Sequence, residues 1–284
     1  MLWLITGTSK GLGLSIAHAA LNTGHQVIAS SRNPSKTPEV VAEIEKKGGK
    51  WITLDVAGPD VESVIAQAVA EHGKIDVLVN NAGYAIAGPV ENESLAAARA
   101  VFETNFFGSI RTMQAVLPSM RSRKAGTIVN ITSAEAWAPN PLASLYASTK
   151  WALEGLSEAT SMEFGAFNIR TLLVELDAIR TDFASTERVD LGAFQERMEP
   201  YKGTFIEQVA QMFLNMHGNQ AIDPERAAKA IVQEVIAPES NPPRLRLPLG
   251  KESTRKLRVK AEAYKQLADD TEEVAASVDF DNAE

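Results

Sequence analysis

Short apolar runs alternate with longer segments of helical spacing along most of this 284-residue chain. The apolar runs predict buried strands at residues 2–6, 26–30, 51–56, 75–79, 126–132, 171–175 and 244–249. The segments between them predict helices at 14–21, 61–71, 96–120, 223–235 and 253–267, with one more around 146–150. Asp60 and Asp223 stand at positions where they could cap the helices that follow them. Alternating strands and helices imply a parallel sheet covered on both faces. The pattern therefore predicts a doubly wound α/β fold.

A glycine turn follows the first predicted strand directly. Gly7, Gly11 and Gly13 lie in the segment Gly7-Thr-Ser-Lys-Gly11-Leu-Gly13, and the first predicted helix comes next. Without Cβ atoms, the backbone can approach a pyrophosphate and the helix can pack close to the strand, while N–H groups at the helix start face the anion. We predict a dinucleotide phosphate site here; an ordinary glycine-rich loop is the alternative.

The second predicted strand ends without the acid that would bind a ribose 2′-hydroxyl. Ser31 and Arg32 stand there instead, and Lys10 in the glycine turn is a second nearby cation. An acid would repel a 2′-phosphate, whereas Arg32 can bind one with two hydrogen bonds. The sequence thus favours NADP(H) over NAD(H).

Tyr146 and Lys150 stand four residues apart on a predicted helix, with Ser133 upstream at the end of a predicted strand. Positions i and i+4 share a helix face, so phenol and ammonium are expected to be neighbours. The cation is expected to lower the pKa of the phenol, which could then exchange a proton with a substrate oxygen. A solvated helix face is the alternative for this pair taken alone. The glycine turn, residues 80–83 and Ser133 all follow strand carboxyl ends, so they should converge on one crevice.

These motifs together resemble the short-chain dehydrogenase/reductase family of single-domain enzymes. The matching residues are Thr6-Gly7-x-x-x-Gly11-x-Gly13, Asn80-Asn81-Ala82-Gly83, Asn105, Ser133 and Tyr146-x-x-x-Lys150, in family order through most of residues 1–183. The resemblance implies a Rossmann-type fold and a Ser–Tyr–Lys site, with Asn105 holding a water relay. It also implies that Asp55 and Val56 flank the adenine, that Asn81 stabilises the sheet beside the cofactor, and that Thr181 contacts the nicotinamide carboxamide.

The predicted site has three groups of residues. The catalytic residues are Ser133, Tyr146, Lys150 and Asn105. The cofactor-binding residues are Gly7, Ser9, Lys10, Gly11, Leu12, Gly13, Ser31, Arg32, Asp55, Val56, Asn81, Ala82, Gly83, Tyr146, Lys150 and Thr181. The substrate-pocket candidates are Trp137, Asp177 and Phe183.

One segment departs from the family pattern. Leu176 and Asp177 replace the usual Pro-Gly after the strand at 171–175. Asp177 could be a turn residue that faces solvent or caps the turn, or it could enter the crevice and favour a polar or cationic substrate. Trp137 is interpreted as pocket wall, with core packing as the alternative.

The predicted domain covers residues 1–250, because no Pro/Gly/Ser-rich linker or internal repeat interrupts it. By resemblance, residues 184–222 form a helical lid over the substrate, and their Phe and Met residues suit an adaptable apolar cover; ordinary helix packing is the alternative. Residues 251–284 predict a helical extension with an acidic tail.

Composition excludes several kinds of chemistry. A net charge of −8 argues against binding to nucleic acid or an anionic membrane surface. The chain has no cysteine and therefore no disulfide or thiolate, and its four histidines, at positions 18, 25, 72 and 217, are too scattered to predict a metal site. No apolar run approaches a membrane span, and the first predicted strand at residue 2 leaves no room for a signal peptide, so a cytoplasmic location is expected.

The function predicted from these residues is that of an NADPH-dependent carbonyl reductase or alcohol dehydrogenase that transfers a hydride between nicotinamide and a ketone or aldehyde of moderate size. An NAD-dependent dehydrogenase working in the oxidative direction and a non-catalytic NADPH-sensing protein are the alternatives. The resemblance also implies a homodimer or homotetramer formed through the helices that carry Asn105 and Tyr146.

Overall fold

Seven parallel strands form a single sheet in the order β3-β2-β1-β4-β5-β6-β7. The computed structural model describes residues 1–184, 191–216, 218–238 and 240–280. The strands are β1 (Leu2–Ile5), β2 (Gln26–Ser31), β3 (Lys50–Thr53), β4 (Val77–Asn80), β5 (Gly126–Ser133), β6 (Ile169–Leu176) and β7 (Arg246–Leu249). This order reverses direction between β1 and β4, as in a doubly wound sheet. The predicted Rossmann-type single domain is confirmed.

Ten α-helices connect and extend these strands in the part of the chain that the structure describes. They are α1 (Gly11–Asn22), α2 (Pro38–Lys46), α3 (Val61–His72), α4 (Leu95–Phe102), α5 (Gly108–Arg123), α6 (Ser144–Gly165), α7 (Leu191–Met198), α8 (Phe205–Leu214), α9 (Pro224–Ile236) and α10 (Lys251–Ala276). None of the helices so described is long and apolar enough to cross a membrane.

Alternate residues of the strands point into two separate hydrophobic layers, because side chains along a strand alternate between the two faces. Trp3 and Ile5 of β1 pack in one layer with α1 and α9. Leu2 and Leu4 pack in the other layer with α3 and α5. All four side chains are buried, so β1 is central to both layers.

Three sequence predictions about helices need correction. The single helix predicted at 96–120 is divided by a π-helical turn, Glu103–Phe107, which contains Asn105. The helix predicted at 253–267 extends to Ala276, so the acidic segment at 269–273 is helical and not part of a tail. Asp60 precedes α3 but its side chain makes no capping hydrogen bond, whereas Asp223 accepts hydrogen bonds from Glu225 N and Arg226 N at the start of α9.

Helices α7 and α8 form the described part of the predicted lid. Phe194, Met198 and Ala210 pack there with Leu142 from the loop before α6. Residues 185–190 and His217 of the predicted lid, and residues 281–284 of the predicted acidic tail, lie outside the described residues. The boundaries 184–222 and the covering of a substrate stay predictions.

A chain of buried polar side chains crosses the centre of the domain. Asn80 Nδ2 donates to Asn130 Oδ1 at 2.8 Å, and Asn130 Nδ2 donates to Ser157 Oγ at 2.8 Å. Thr112 Oγ1 completes the chain by donating to Asn80 Oδ1 at 2.6 Å. These bonds connect β4 and β5 to α5 and α6. They fix α6, which carries Tyr146, against the sheet.

We expect Asn130→Ala to lower the free energy of unfolding by roughly 1–3 kcal/mol, because it leaves buried polar partners without hydrogen bonds. Urea denaturation measures this change. Asn92→Ala, at an exposed position, is the control. Equal midpoints for the two variants would show that the buried polar chain contributes nothing to stability.

Candidate active site

The glycine turn is held against the end of β4 by Asn81. Its Nδ2 donates to Thr6 O at 2.9 Å and to Gly7 O at 3.0 Å. A Cβ on Gly13 would lie 2.4 Å from Asn81 Nδ2, and a Cβ on Gly7 would lie 2.8 Å from the Cα of Ala82. Gly7 also has a φ of +69°, which disfavours side chains. Asn81 therefore stabilises the turn itself. This role is more local than the predicted one, which was to stabilise the sheet beside the cofactor.

This turn fits the phosphates of a dinucleotide cofactor. Helix α1 begins at Gly11 with no side chain capping its first N–H groups, so they are available to an anion. Thr181 lies beside the turn, with its Cβ 3.4 Å from the position of a Cβ on Gly11. The turn also includes Ser9 and Leu12, so these predicted cofactor residues lie where a pyrophosphate would bind.

Polar groups at the ends of β2 and β3 fit the adenosine half of the same cofactor. The Ser31 hydroxyl is buried and has no hydrogen-bond partner among the described residues. Arg32 next to it is exposed. Asp55, two residues beyond β3, is exposed and accepts a hydrogen bond from Ala57 N, while Val56 is buried. Lys10 stays a predicted cofactor residue, and its exposed ammonium pairs with Asp182 at 3.1 Å.

Ser133, Tyr146 and Lys150 meet at the carboxyl end of β5. Ser133 is the last residue of this strand, and its hydroxyl donates to Leu176 O at 3.1 Å. Lys150 extends from α6 and donates to Ile131 O at 2.8 Å, with its Nζ 5.8 Å from the centre of the Tyr146 ring. The structure therefore brings the three predicted catalytic residues together.

Burial changes the acid–base properties of this group. It raises the pKa of the Tyr146 phenol well above its usual value, and the Ser133 hydroxyl opposes that change through a hydrogen bond. Burial also lowers the pKa of Lys150 to about 8, which the Glu154 carboxylate partly offsets. The predicted lowering of the Tyr146 pKa by Lys150 is wrong for this structure, because removal of the phenol from water and the nearby Glu135 carboxylate together raise the pKa more than the Ser133 hydrogen bond lowers it.

Asn105 lies in the π-helical turn, beside the segment that follows β4. Its Oδ1 accepts a hydrogen bond from Tyr84 N at 3.0 Å, and its Nδ2 donates to Tyr84 O and to Thr149 Oγ1. A Cβ on Gly83 would lie 3.0 Å from Asn105 Oδ1 and 3.8 Å from Lys150 Nζ. Asn105 thus borders the site, and its part in a water relay stays a prediction.

A buried ionic network lies behind Lys150 and was not predicted from the sequence. Glu154, one turn along α6, contacts the Arg246 guanidinium, which also donates to Glu175 Oε1 at 2.6 Å. Burial and the neighbouring Glu154 carboxylate raise the pKa of Glu175. The spacing of Lys150 and Glu154 was visible in the sequence, but the partners on β6 and β7 were not.

Asp177 does not face solvent, and whether it reaches the substrate crevice stays a prediction. Its carboxylate accepts a hydrogen bond from Lys256 Nζ at 3.2 Å, and the same ammonium lies 3.7 Å from Glu135 Oε1. All three side chains are mostly buried. Lys256 comes from α10, so the helical extension is joined to the segments that follow Ser133 and Leu176.

The other two pocket candidates have different neighbours. The ring of Phe183 contacts that of Tyr146 edge to face, with the ring centres 5.8 Å apart. Trp137 is buried with Ala134, Ala136 and Leu257 of α10. The structure therefore places Trp137 in a hydrophobic cluster; its role as pocket wall, like that of Phe183, stays a prediction.

Known proteins resemble the chain in both sequence and structure. The family model described as short chain dehydrogenase matches residues 2–191. Oxidoreductase claN of Passalora fulva is 46% identical over 215 residues, which span 75% of this chain and 96% of that protein. A short-chain dehydrogenase from Streptomyces avermitilis has a TM-score of 0.81 and 31% identity, with 98% of each chain covered. The closed form of serine dehydrogenase complexed with NADP+ has a TM-score of 0.69 and 26% identity, covering 88% of this chain and 94% of that one.

We expect Gly13→Ala to abolish measurable NADPH binding, because the added methyl group would overlap Asn81 and distort the turn. Fluorescence titration of NADPH measures the effect without any substrate. Gly155→Ala on α6 is the matched control, since a Cβ there has nothing within 4 Å. Equal NADPH affinities of the two variants would contradict the assignment of the turn.

Lys256→Met should lower the free energy of unfolding by roughly 1–3 kcal/mol, because two mostly buried carboxylates lose their shared cation. Thermal or urea unfolding provides the measurement, and Lys251→Met at an exposed position of the same helix is the control. Adding Asp177→Asn to Lys256→Met should recover part of the loss. If the double variant is no more stable than Lys256→Met, the two side chains are not coupled.

Proposed function

The chain belongs to the short-chain dehydrogenase family, and within it we propose that the protein is an NADPH-dependent carbonyl reductase that can also act as an alcohol dehydrogenase. Membership makes it an NAD(P)-dependent oxidoreductase acting on CH–OH or C=O groups. The observation that carries the proposal is the meeting of Ser133, Tyr146 and Lys150 at the sheet edge that also holds the glycine turn. Its substrate would be a ketone or aldehyde of moderate size, or the corresponding alcohol.

The nicotinamide, when bound, supplies or accepts the hydride. Tyr146 is the proton donor in the reducing direction. Its raised pKa keeps the phenol protonated at neutral pH, which is the state that donation to a developing alkoxide requires. The Ser133 hydroxyl, which donates to Leu176 O here, would turn to donate its hydrogen bond to the same oxygen and stabilise its charge.

Lys150 is placed to act beside Tyr146. Its ammonium is anchored by the Ile131 carbonyl and by the nearby negative charge of Glu154. From that position it would hold the ribose of the cofactor and stabilise the negative charge that develops as Tyr146 gives up its proton. Phe183 covers one edge of the phenol and would help to keep water from the reacting oxygen.

The preference for NADP(H) rests on Ser31 and Arg32 at the end of β2. The unpaired Ser31 hydroxyl and the exposed Arg32 guanidinium suit a 2′-phosphate better than a free 2′-hydroxyl. Serine dehydrogenase, a structural neighbour, binds NADP+. Because Lys10 pairs with Asp182, Arg32 is the cation on which the preference mainly depends.

Two other functions use the same fold. An NAD-dependent dehydrogenase would work in the oxidative direction, and a non-catalytic protein would bind NADPH without turnover. A screen of ketones and aldehydes with NADPH, run beside the same screen with NADH, separates the three possibilities.

Two further expectations stay predictions. One is a homo-oligomer formed through the helices that carry Asn105 and Tyr146, and the other is a cytoplasmic location.

Tyr146→Phe should reduce kcat by at least about 10²-fold while NADPH still binds, because the phenol oxygen carries the transferred proton. Steady-state turnover and NADPH titration give the two values. Tyr264→Phe, on the exposed part of α10, should leave both unchanged. Near wild-type turnover by Tyr146→Phe would exclude the proposed proton donor.

Arg32→Ala should raise the KM for NADPH by about 10–100-fold, the effect of losing a charge-assisted contact of roughly 1.5–3 kcal/mol. The KM for NADH should change little, since NADH lacks the phosphate. Kinetics with both coenzymes against one good ketone substrate measure the ratio. An equal change for both coenzymes would remove the basis for the NADP(H) preference.

A further inference from the structure

Two buried acids contact a single guanidinium behind Lys150. Glu154 of α6 is 6% exposed, and Glu175 of β6 is fully buried. Arg246 Nη1 donates to Glu175 Oε1 at 2.6 Å and also to Glu154 Oε2. The other terminal nitrogen, Nη2, donates to Glu158 Oε2 at 2.9 Å. Because one nitrogen bonds to both buried acids, their carboxyl groups lie next to each other and share one compensating charge.

One oxygen of each buried acid has no partner. Glu154 Oε1 and Glu175 Oε2 are buried, and neither makes a hydrogen bond within the part of the chain that the structure describes. A buried carboxylate oxygen without a donor is costly, and two adjacent carboxylates also repel each other. A proton held by the pair reduces both costs, since one acid then donates a hydrogen bond to the other and only one keeps its charge.

The pKa of Glu175 agrees with a proton held by the pair. Burial raises this pKa to about 7, the Glu154 carboxylate raises it as well, and the Arg246 guanidinium opposes the change. Because the two acids interact strongly, the proton belongs to the pair and not to either residue alone. Below a pH of about 7 the pair therefore carries one negative charge, and above it the pair gains a second.

The charge on this pair acts on Lys150. Burial lowers the pKa of the Lys150 ammonium to about 8, and the Glu154 carboxylate, one turn along the same face of α6, opposes that decrease. The second negative charge develops just below the pH at which Lys150 loses its proton. A more negative pair favours the charged ammonium, so ionisation of the pair delays the loss of charge from Lys150.

Titratable groups from each neighbouring element surround Lys150 and its phenol partner. They are Tyr146 and Glu154 of α6, Glu175 of β6, Arg246 of β7 and Glu135 of the segment after β5. Glu135 acts on Tyr146, and the π-helical turn contributes the uncharged Asn105. The Glu154 and Glu175 pair is thus the part of this set that lies behind the ammonium and changes its own charge near neutral pH.

We propose that Glu154 and Glu175 share one proton and act together as a positioning pair, which keeps the Lys150 ammonium charged and bonded to the Ile131 carbonyl. Arg246, on the last strand of the sheet, holds the two acids together. This role of the pair rests on the function proposed for Lys150. Neither acid contacts the reacting groups, so both act through the ammonium.

Infrared difference spectroscopy at about pH 6, below the pKa of Glu175, tests the shared proton. The wild-type protein should show the C=O band of a protonated carboxyl group. Glu154→Gln and Glu175→Gln should each remove most of it, because the remaining acid no longer faces a second carboxylate. Glu158→Gln is the matched control, since Glu158 bonds to the same guanidinium but is 63% exposed. Persistence of the band in either of the first two variants, or its absence from the wild type, would overturn the shared proton.

Titration of Lys150 tests the positioning role. In protein with isotope-labelled lysine, the NMR signal of Lys150 is the one that Lys150→Met removes. Its midpoint should lie near pH 8 in the wild type and fall by about one unit in Glu154→Gln and in Glu175→Gln, because each loses a negative charge that favours the ammonium. Glu154→Asp keeps the charge and should stay closer to the wild type. An unchanged midpoint in both Gln variants would contradict the positioning role.

The spectroscopic measurements need no substrate, so they separate the pair from the proposed function. In the reduction of a ketone, the pH at which kcat/KM falls on the alkaline side should move down together with the Lys150 midpoint in both Gln variants. A midpoint that moves while this alkaline limb does not would show that the pair has no part in the reaction. A wild-type protein that reduces no carbonyl would refute the proposed function, and the shared proton and the Lys150 midpoint would still be decided by spectroscopy.

Discussion

The hydrogen bond from the buried Lys150 ammonium to the Ile131 carbonyl is the contact on which the site depends. It joins α6 to the carboxyl end of β5, two residues before Ser133, so the helix carrying Tyr146 and the strand carrying Ser133 are fixed together. Burial of a charge is costly unless other groups compensate it. Here the Ile131 carbonyl bonds directly to the ammonium, and Glu154 stabilises its charge from one turn away. The buried bonds between Asn80, Asn130 and Ser157 hold the same helix farther along its length.

The carboxyl-terminal helix joins this centre to the outer part of the molecule. Lys256 bridges Glu135 and Asp177, which follow the two strand ends that flank the Ser133 hydroxyl. Leu176-Asp177, in place of the family's Pro-Gly, therefore provides an anchor for α10. From that anchor α10 continues, and every described residue from 261 to 280 is exposed. One end of this helix thus contacts the segments beside the active site, and its other end lies in solvent.

Much of the fold was predictable because its signals are local. Apolar runs located all seven strands within a few residues, and the glycine turn located the start of α1 within three residues, since the helix begins at Gly11 and not at Leu14. The errors occurred where local pattern and tertiary contact conflict. The segment 96–120 has an uninterrupted helical pattern, but the bonds of Asn105 to the Tyr84 backbone are made within a π-helical turn. Helix α2 was missed because it is short and mostly exposed, with only Ile44 buried in the core.

The sequence alone determined which chemical groups the protein has and their order along the chain: a glycine turn, the Ser133, Tyr146 and Lys150 side chains, and an Arg32 where an acid would favour NAD(H). These follow from residue type and from spacing within a strand, turn or helix. Tertiary structure decided the properties that depend on distance between remote segments and on exclusion of water. It raised the pKa of Tyr146 where spacing predicted a decrease, and it paired Asp177 with a lysine 79 positions away. Desolvation and long-range ion pairing are not encoded in local pattern, because both depend on which parts of the chain lie against one another after folding.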